Sequence, residues 1–512
     1  MLYLVLNLGL KSIRAIVFNE KGKIIANNSE PLSTMLNGTA VEQSGSEWWE
    51  KGLRVINASL DNEAVRREIN YITVTASSCC AVAIDQLGNP LHDVIMVSDK
   101  RANVETTHIA ERSSYQDLRQ SRSDFEVKSS LMLPKILWIK NNLPEVFEEA
   151  EYFLSPDDYF GYRFTGQAVV DSLNAEKCFY DNKSKSYPID LLKDLEIPLQ
   201  KLPKVVDVGT KVAQVTAEFK RLISLDANQS LEYIVTTYDA ICAFYGSGAS
   251  EEGDSCDVSG TVTSLRTLTK GKKELETTAI FSQYQREFDI SIVGGSNNLG
   301  GGLIEWAKQA FYSDNQSPYE LMESEAKTVP NGADGVIFLP YLMGERAPLW
   351  NDDARGVFFG LSRNHNRKHM IRSVFESSGF ALRSILEEIE NTGQDVKAVR
   401  FSGGLSRIHL IAQIKADILG KEIHIVDEFE TTALGAFLLM GISTGLFESL
   451  NDASKIVRVR EVIFPNPEAH KSYSEIYSLF KNLYGNLLGC FKEHSKLHET
   501  DVYRIADKIE NM

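Results

Sequence analysis

Two stretches of this chain, residues 4–18 and residues 257–263, share one pattern, and roughly half of the sequence separates them. In each, apolar or β-branched residues stand on both sides of a short polar tip that contains glycine, Gly9 in the first and Gly260 in the second. Both stretches predict β-hairpins, because β-branched residues favour strands and glycine adopts the positive φ of a tight turn at little cost. Backbone N–H groups at such tips form concave sites for anions, and two tips facing one cleft would hold a polyphosphate from both sides.

The chain has 512 residues, more than one hydrophobic core normally supports. Together with the repeated hairpin, this length predicts two domains, residues 1–245 and residues 246–512. Strand patterns alternate with helical patterns in both halves, which predicts an α/β fold.

The composition, with 43% hydrophobic and 24% charged residues, is that of an ordinary soluble globular protein. No segment is apolar over a bilayer's thickness and no basic leader precedes the first strand, so we expect no membrane partner and a cytoplasmic location. The net charge of −16 argues against a nucleic-acid partner, because such proteins carry a basic face. The six cysteines show no CxxC pair or zinc spacing, and we expect free thiols.

Three polar or glycine-rich loops directly follow predicted strands, where α/β folds usually place ligand-binding groups. The loops are residues 77–80, Ser98-Asp99-Lys100-Arg101, and Gly403-Gly404-Leu405-Ser406. The third is followed by a helical pattern, a nucleotide-site geometry in which glycine lets a ligand approach the backbone. A plain solvated loop is the open alternative for the second loop, and a plain turn is the open alternative for the third.

Two helical patterns begin with acids. Asp239 is the only acid between Glu232 and Glu251, and it is either a functional carboxylate at the mouth of the cleft or the N-cap of the helix that follows. Ser155, followed by proline and two aspartates at residues 156–158, predicts a second helix start.

Taken in order, these features resemble the FGGY family of carbohydrate kinases over nearly the whole chain. The most specific segment is PYLMGERAPLWNDDARG at residues 340–356, which is similar to the family's Gly-Glu-Arg-x-Pro hallmark and the Asp-x-x-Ala-Arg-Gly that follows it. Residues 134–138 match the family's Pro-Lys-x-x-Trp helix. The resemblance implies two actin-like (ribonuclease H-like) α/β domains with a catalytic cleft between them, and a sugar, ATP and Mg²⁺ as ligands.

The resemblance also implies a role for each matching residue. Asp239 would accept the proton of the sugar hydroxyl, since phosphoryl transfer asks little else of the protein than positioning and charge stabilisation. The sugar would be bound by Ser78, Cys79, Asp99 and Arg101. The nucleotide would be bound by Gly9, Leu10, Lys11 and Ser12, by Gly260 and Thr261, and by Gly403, Gly404 and Ser406. Asn7 would stand at the metal position.

For the hallmark segment we expect a mainly structural role, in which Glu345 and Arg346 form a buried pair that braces the cleft. Direct contact with the substrate is the alternative. The Gly/Asn loop at residues 296–302 would either contact a ligand or serve only as a turn.

This sequence departs from the family pattern at three places. Asn7-Leu8-Gly9-Leu10 replaces the usual Asp-x-Gly-Thr, so that a metal-organising carboxylate becomes an amide and a phosphate-contacting hydroxyl is missing. The acid follows Tyr238 rather than a glycine or serine, and the sugar loop has Ser78-Cys79 where xylulose and gluconate kinases commonly carry Met-His.

The function expected from these features is ATP-dependent phosphorylation of a small sugar or polyol, most like that of xylulose kinases, with gluconate, ribulose and autoinducer kinases close behind. One alternative is a catalytically weak paralogue that binds sugar or nucleotide and acts through a partner, motivated by Asn7 and Leu10. Another is an actin-like or chaperone ATPase, which the sugar-loop features disfavour. A homodimer is a candidate assembly state.

Overall fold

The computed structural model describes residues 1–121, 126–260, 262–315, 317–427 and 430–499. The chain divides into two compact units, each of them discontinuous in sequence. The first contains Met1–Ser250, Gln283–Ile290 and Glu430–Val457, and the second contains Glu251–Ser282, Ser291–Phe429 and Arg458–Met512. Two segments of the C-terminal half therefore belong to the first unit. The single division between residues 245 and 246 stays a prediction about functional domains.

The strands of the described residues follow each other along both units. In chain order they are β1 (Leu2–Leu8), β2 (Ser12–Asn19), β3 (Ile24–Pro31), β4 (Met35–Asn37), β5 (Ala40–Gln43), β6 (Ile69–Ala76), β7 (Val82–Ile84), β8 (Val94–Ile95), β9 (Tyr152–Leu154), β10 (Val169–Asp171), β11 (Lys204–Val206), β12 (Lys211–Gln214), β13 (Glu232–Ile234), β14 (Ser255–Ser259), β15 (Thr263–Lys270), β16 (Phe281–Gln285), β17 (Ile290–Ser296), β18 (Ile337–Leu339), β19 (Val357–Phe359), β20 (Ala398–Ser402), β21 (Glu422–Val426) and β22 (Val459–Ile463).

The α-helices of the described residues alternate with these strands. They are α1 (Gly45–Ser59), α2 (Glu63–Glu68), α3 (Asn103–Ala110), α4 (Ser113–Ser121), α5 (Met132–Asn142), α6 (Pro144–Glu149), α7 (Pro156–Thr165), α8 (Ser172–Ala175), α9 (Ile189–Asp194), α10 (Ala217–Leu222), α11 (Asp239–Gly246), α12 (Gly301–Tyr312), α13 (Pro318–Lys327), α14 (Arg367–Asn391), α15 (His409–Leu419), α16 (Thr431–Thr444), α17 (Leu450–Ser454) and α18 (Pro467–Glu499). Across the part of the chain that the structure describes, no helix combines the length and the apolar character needed to cross a membrane.

The first unit is built on a six-stranded sheet with strand order β12-β13-β6-β1-β2-β3. The predicted first hairpin is confirmed as β1 and β2, which pair antiparallel, while β6 runs parallel to β1 on its other side. Every residue of β1 is buried, which is why its sequence is nearly continuous in apolar residues. β3 lies at the edge, and its residues alternate between exposed and partly buried.

The C-terminal half contains a seven-stranded sheet with strand order β16-β17-β15-β14-β20-β21-β22. The predicted second hairpin is confirmed as the antiparallel pair β14 and β15. β20 runs parallel to β14 and places the glycine loop that follows it beside the tip of the hairpin. Each unit has its own hydrophobic core, so each has the internal packing of a folded domain.

Helices α11 and α16 lie in backbone contact within the first unit. A Cβ atom on Gly246 of α11 would overlap the carbonyl oxygen of Thr431, and one on Gly435 of α16 would overlap the carbonyl oxygen of Cys242. Glycine is therefore required at both positions for the two helix backbones to come so close.

We predict that Gly246→Ala lowers the free energy of unfolding by at least about 3 kcal/mol, because the added methyl group has no space between the two helix backbones. The matched control is Gly485→Ala in α18, where a Cβ atom would meet nothing within 4 Å. That control should raise the free energy of unfolding by up to about 1 kcal/mol, since alanine is the better helix former. Chemical denaturation measures both, and an unchanged stability of Gly246→Ala would contradict the close helix contact.

Candidate active site

The tip of the first hairpin is narrow and supported from beneath. The N–H of Gly9 donates to the carbonyl oxygen of Ser12 at 3.0 Å, and the side chain of Gln43 donates to the carbonyl oxygen of Leu10 at 2.8 Å. Leu10 is 39% exposed and Lys11 is also exposed, so the predicted phosphate-binding tip faces outward from the sheet. Its polar atoms are backbone groups, the Ser12 hydroxyl and the Lys11 ammonium group.

Asn7 lies two residues before this tip, at the carboxyl end of β1. Its side chain is mostly buried, and no described residue makes a hydrogen bond with its amide group. In the parallel register Asn7 lies opposite Thr75 of β6, whose hydroxyl donates to the carbonyl oxygen of Thr237 at 2.9 Å. The end of β1 and the approach to α11 are therefore neighbours at one edge of the sheet.

Asp239 is the first residue of α11, and Tyr238 holds the N-cap position without a side-chain capping bond. The interpretation of Asp239 as the N-cap is therefore wrong, although an acid in the first turn still favours the helix. The hydroxyl of Ser77 donates to Oδ2 of Asp239 at 3.0 Å. Since Ser77 opens the predicted sugar loop, the structure brings the candidate base and the candidate sugar loop together.

The predicted sugar loop is fixed by a buried lysine. The backbone of Cys79 has φ of 65°, and its carbonyl oxygen accepts from Nζ of Lys135 at 2.6 Å. Lys135 is fully buried and also donates to the carbonyl oxygens of Met96 and Ser130, at 2.8 Å and 3.1 Å. Burial lowers the pKa of the Lys135 ammonium, and three carbonyl acceptors offset part of that cost. The lysine of the Pro-Lys-x-x-Trp motif thus shapes the loop that carries Ser78 and Cys79.

Asp99 and Arg101 form a tight pair close to this loop. Asp99 is 1% exposed and accepts from the N–H of Val41 at 2.7 Å and from the N–H and Nε of Arg101 at 2.9 Å and 3.0 Å. Arg101 also pairs with Glu42 at 2.8 Å, and its guanidinium lies 4.7 Å from the ring centroid of Trp138. Most of the hydrogen-bond-accepting capacity of the Asp99 carboxylate is therefore used by groups of the protein itself.

In the second unit, the tip of the hairpin between β14 and β15 is exposed at Gly260. The carbonyl oxygen of Gly260 accepts from the N–H of Gly301, at the start of α12, at 2.7 Å. Thr261, the other predicted nucleotide residue of this tip, lies outside the described residues. Gly260 is thus anchored to a neighbouring helix through its carbonyl oxygen.

A buried ion pair that the sequence did not indicate lies beneath this hairpin. Nζ of Lys415 in α15 donates to Oδ2 of Asp257 at 2.5 Å and to Oγ of Ser259 at 2.9 Å. Oγ of Ser259 also lies 2.7 Å from Oδ1 of Asp257 and 3.1 Å from the hydroxyl of Thr263. All four side chains are buried, and burial lowers the pKa of the Lys415 ammonium while Asp257 opposes that shift. The pair holds the two strands of the hairpin at their base.

The glycine loop packs directly on this hairpin. Gly403 has φ of 88°, and a Cβ atom there would overlap the carbonyl oxygen of Ser259. Gly404 is exposed, and a Cβ atom on it would meet nothing within 4 Å. The hydroxyl of Ser406 turns back to the carbonyl oxygen of Gly403 at 2.8 Å. Gly403 is therefore needed for packing, whereas the surface at Gly404 is open to a ligand.

The hallmark segment braces the Gly/Asn loop through the backbone. Glu345 is 4% exposed, and its Oε1 accepts from the N–H groups of Asn298 at 2.7 Å and Arg346 at 2.8 Å. The guanidinium of Arg346 donates to the carbonyl oxygen of Asn297 at 2.8 Å. Burial raises the pKa of Glu345 to about 7. These contacts favour the structural interpretation, with backbone groups as the principal partners of both side chains.

A cluster of buried carboxyl groups lies at the predicted helix start of α7. Ser155 is the N-cap of α7, and its hydroxyl lies within hydrogen-bond distance of both Asp157 and Asp158. Desolvation raises the pKa of Asp158, and the neighbouring carboxyl group of Asp157 raises it further. Desolvation also raises the pKa of Asp157 to about 7 and that of Asp171, nearby, to about 6. The side chain of Asn174 joins the two groups by donating to Asp157 and Asp171, at 2.8 Å each.

We predict that the stability of the protein falls as the pH rises from 5 to 8. The folded-state pKa of Asp157 lies above its unfolded value of 3.8, so the folded state binds the proton more tightly, and its advantage is lost as the pH rises through about 7. Asp157→Asn should reduce the difference in unfolding free energy between pH 5 and pH 8 by about 1–3 kcal/mol. Denaturant titrations at the two pH values measure this, with Asp190→Asn on the exposed face of α9 as the control. An equal difference in wild type and Asp157→Asn would contradict the assignment.

The predicted residues thus fall into two groups, one on each unit. Residues 2–233 match the N-terminal domain model of the FGGY family of carbohydrate kinases, and residues 258–444 match its C-terminal domain model. The chain belongs to the FGGY family of carbohydrate kinases. The sequence-based recognition and the prediction of a carbohydrate kinase are confirmed.

Curated relatives match this FGGY-family protein along almost its whole length. A gluconokinase of Bacillus subtilis (strain 168) is 26% identical over 514 residues, which cover 98% of this chain and 97% of the relative. A xylulose kinase of the same organism is 25% identical over 491 residues, which cover 94% of this chain and 96% of the relative.

The fold is also that of a solved structure. The ligand-bound xylulose kinase of Lactobacillus acidophilus superimposes with a TM-score of 0.87 at 23% identity, over 96% of this chain and 99% of that one. At this identity the likeness concerns the fold alone. The prediction of two actin-like α/β domains is confirmed.

Proposed function

We propose that this FGGY kinase transfers the γ-phosphoryl group of ATP to a hydroxyl group of a small linear or ketose sugar or polyol, with Asp239 as the general base. The observation that carries the proposal is the hydrogen bond of 3.0 Å between Ser77, at the start of the sugar loop, and the Asp239 carboxylate. Ser77 holds one oxygen of the carboxylate in place. The other oxygen would accept the hydroxyl proton as the hydroxyl oxygen forms its bond to phosphorus.

Sugar binding by the first unit is supported by the arrangement around Arg101. Asp99 and Glu42 fix the guanidinium, and Trp138 covers one of its faces. A guanidinium held in this way presents fixed N–H donors, which suit the hydroxyl groups of a polyol. In this proposal Arg101, Ser78 and Cys79 contact the sugar, and Asp99 acts mainly as a positioning residue for Arg101.

The residues of the second unit fit a nucleotide at two points. Gly260 at the hairpin tip is exposed. A Cβ atom added to Gly404 would meet nothing within 4 Å. Backbone N–H groups at such turns favour phosphate oxygens, and the missing side chain lets a flat base approach. When bound, ATP supplies the phosphoryl group, and its ADP part is the leaving group. The first hairpin, with Gly9, Leu10, Lys11 and Ser12, would contact phosphates through backbone amides and the Ser12 hydroxyl.

Magnesium fits this chain only as an ion that arrives with the nucleotide. Within the described residues no three His, Cys, Asp or Glu side chains converge on a common point that would hold a metal. Mg²⁺ usually keeps several waters and takes few protein ligands beside the phosphates of its substrate, so a weak protein site is chemically reasonable. Asn7, with an amide oxygen at the end of β1, would contact a metal-bound water.

Relatives of this chain are named after different acceptors, among them gluconate and xylulose. The proposal does not choose between these acceptors. Release of ADP should be measured with the purified chain across a panel of ketoses, aldoses, polyols and aldonates. Turnover stimulated by an acceptor supports the proposal. Turnover without any acceptor would indicate an ATPase, and binding without turnover a weak paralogue. A cytoplasmic location belongs to the same proposal and is supported by six free cysteines.

We predict that Asp239→Asn lowers kcat by about 100-fold or more and changes the KM of the acceptor by only a few-fold, because the amide keeps the shape of the carboxylate but takes no proton. Steady-state kinetics with the acceptor chosen from the panel measure both constants. Asp226→Asn, at an exposed turn of the same unit, is the matched control. Wild-type turnover in Asp239→Asn would show that the base is another group.

We predict that Asn7→Asp lowers the Mg²⁺ concentration for half-maximal acceptor-dependent turnover, because a carboxylate attracts the metal and its waters more strongly than an amide does. Asn7→Lys should abolish activity by placing a cation at the same point. A metal titration of the variants at saturating ATP is the measurement. If Asn7→Asp leaves the Mg²⁺ dependence unchanged, another carboxylate organises the metal or the first hairpin does not contact the phosphates.

A further inference from the structure

Lys177 lies beside Tyr238 and has no role in the function proposed above. Its ammonium group lies 5.1 Å from the ring centroid of Tyr238, the residue that precedes Asp239. The ring is itself fixed, because the hydroxyl of Tyr238 donates to Oε1 of Gln283 at 2.5 Å. Lys177 is partly buried in the short turn Glu176–Cys178, and its ammonium group therefore lies next to the residue that precedes the candidate base.

The surroundings of Lys177 keep its ammonium group charged. Burial alone would lower its pKa, yet Tyr238, Cys79, Glu176 and Asp171 together raise it. Cys79 belongs to the predicted sugar loop, so the cation is close enough to act electrostatically on that loop. Glu176 and Asp171 act on this charge without forming an ion pair with it, and no hydrogen bond or ion pair joins Lys177 to another described residue. Its three N–H donors are thus without a hydrogen-bonded partner among these residues.

The two other cations of this region are already occupied. Arg101 is paired with Asp99 and Glu42, and Lys135 donates to three backbone carbonyl oxygens. The charge of Arg101 is thus balanced by two carboxylates, and the three donors of Lys135 are all used. Lys177 lies over the face of Tyr238, which lowers the cost of desolvation, and no acid is in ion-pair contact with it among the described residues. A bound neutral sugar would bury this charge without compensation, whereas an anionic group would compensate it.

We propose that Lys177 binds a carboxylate of the acceptor, so that the enzyme prefers aldonic acids to neutral ketoses and polyols. This inference rests on the proposed kinase function and specifies its substrate class. A charge-assisted bond from an ammonium group to a carboxylate is stronger than a bond to a hydroxyl group. Lysine acts as a point charge, so the carboxylate needs no fixed bidentate geometry.

The test compares matched acceptors that differ only in one group: D-gluconate against D-glucitol, and D-xylonate against xylitol, with D-xylulose as the ketose. For the wild type we expect kcat/KM for each aldonate to exceed that of its polyol by about 30- to 100-fold. Lys177→Met should reduce this ratio to within a few-fold of one, and Lys177→Arg should keep most of it. Lys183→Met, at an exposed lysine of a nearby turn, should leave the ratio as in the wild type.

Binding gives a second readout that needs no turnover. D-gluconate without nucleotide should raise the thermal unfolding temperature of the wild type and of Lys183→Met, and should fail to do so for Lys177→Met. Equal kcat/KM for aldonates and neutral acceptors, or an equal loss for both in Lys177→Met, would overturn the inference while the kinase function stands. If no acceptor stimulates ADP release, the proposed function fails, and gluconate binding that depends on Lys177 would still support the carboxylate site.

Discussion

The backbone contact between α11 and α16 determines where the candidate base lies. Gly246 and Gly435 leave no side chain between the two helices, so α11 has little freedom to shift or rotate on its partner. At the other end of α11, hydroxyl groups of β6 and its following loop hold Thr237 and Asp239. A carboxylate fixed from both sides needs little reorganisation when an acceptor arrives, which is the condition for positioning to contribute to the rate.

Structural features that depend on residues close in sequence can be predicted from the sequence. Features that depend on residues far apart in sequence cannot. Both hairpins were found because β-branched residues and glycine specify them locally, and the helix start at Ser155 follows from its capping pattern. In the sequence, Lys415 has the pattern of an ordinary lysine of a helix. No neighbouring residue indicates its contact with Asp257, which lies 158 residues away. Asp157 and Asp158 lie in the first turn of α7, as the sequence predicts. Their burial depends on the packing of distant residues around them, which the local sequence does not show.

The hallmark segment shows a further limit of sequence reasoning. Glu345 and Arg346 are adjacent acidic and basic residues, which suggested a buried pair. The tight turn, in which Glu345 and Asn351 exchange backbone hydrogen bonds of 2.9 Å and 2.8 Å, also brings N–H groups to the Glu345 carboxylate. Spacing therefore identified residues of structural importance, while backbone geometry decided their partners. The same holds for Asp99, whose acceptor capacity serves Val41 and Arg101 within the protein.

The two hairpins that are predicted to bind phosphates differ in the charges that support them. The second is underlaid by Lys415, paired with Asp257, so the region beneath its tip is close to neutral. The first has an amide, Asn7, where the family pattern has a carboxylate, and the same unit adds the cation Lys177 beside Tyr238. Both differences make the potential of the first unit more positive. In the proposed function this direction would weaken metal binding, but it would reduce the repulsion of two anions at once, the nucleotide phosphates and an acidic acceptor. The loss of one carboxylate and the presence of a lysine without an ion-pair partner among the described residues act in the same electrostatic direction.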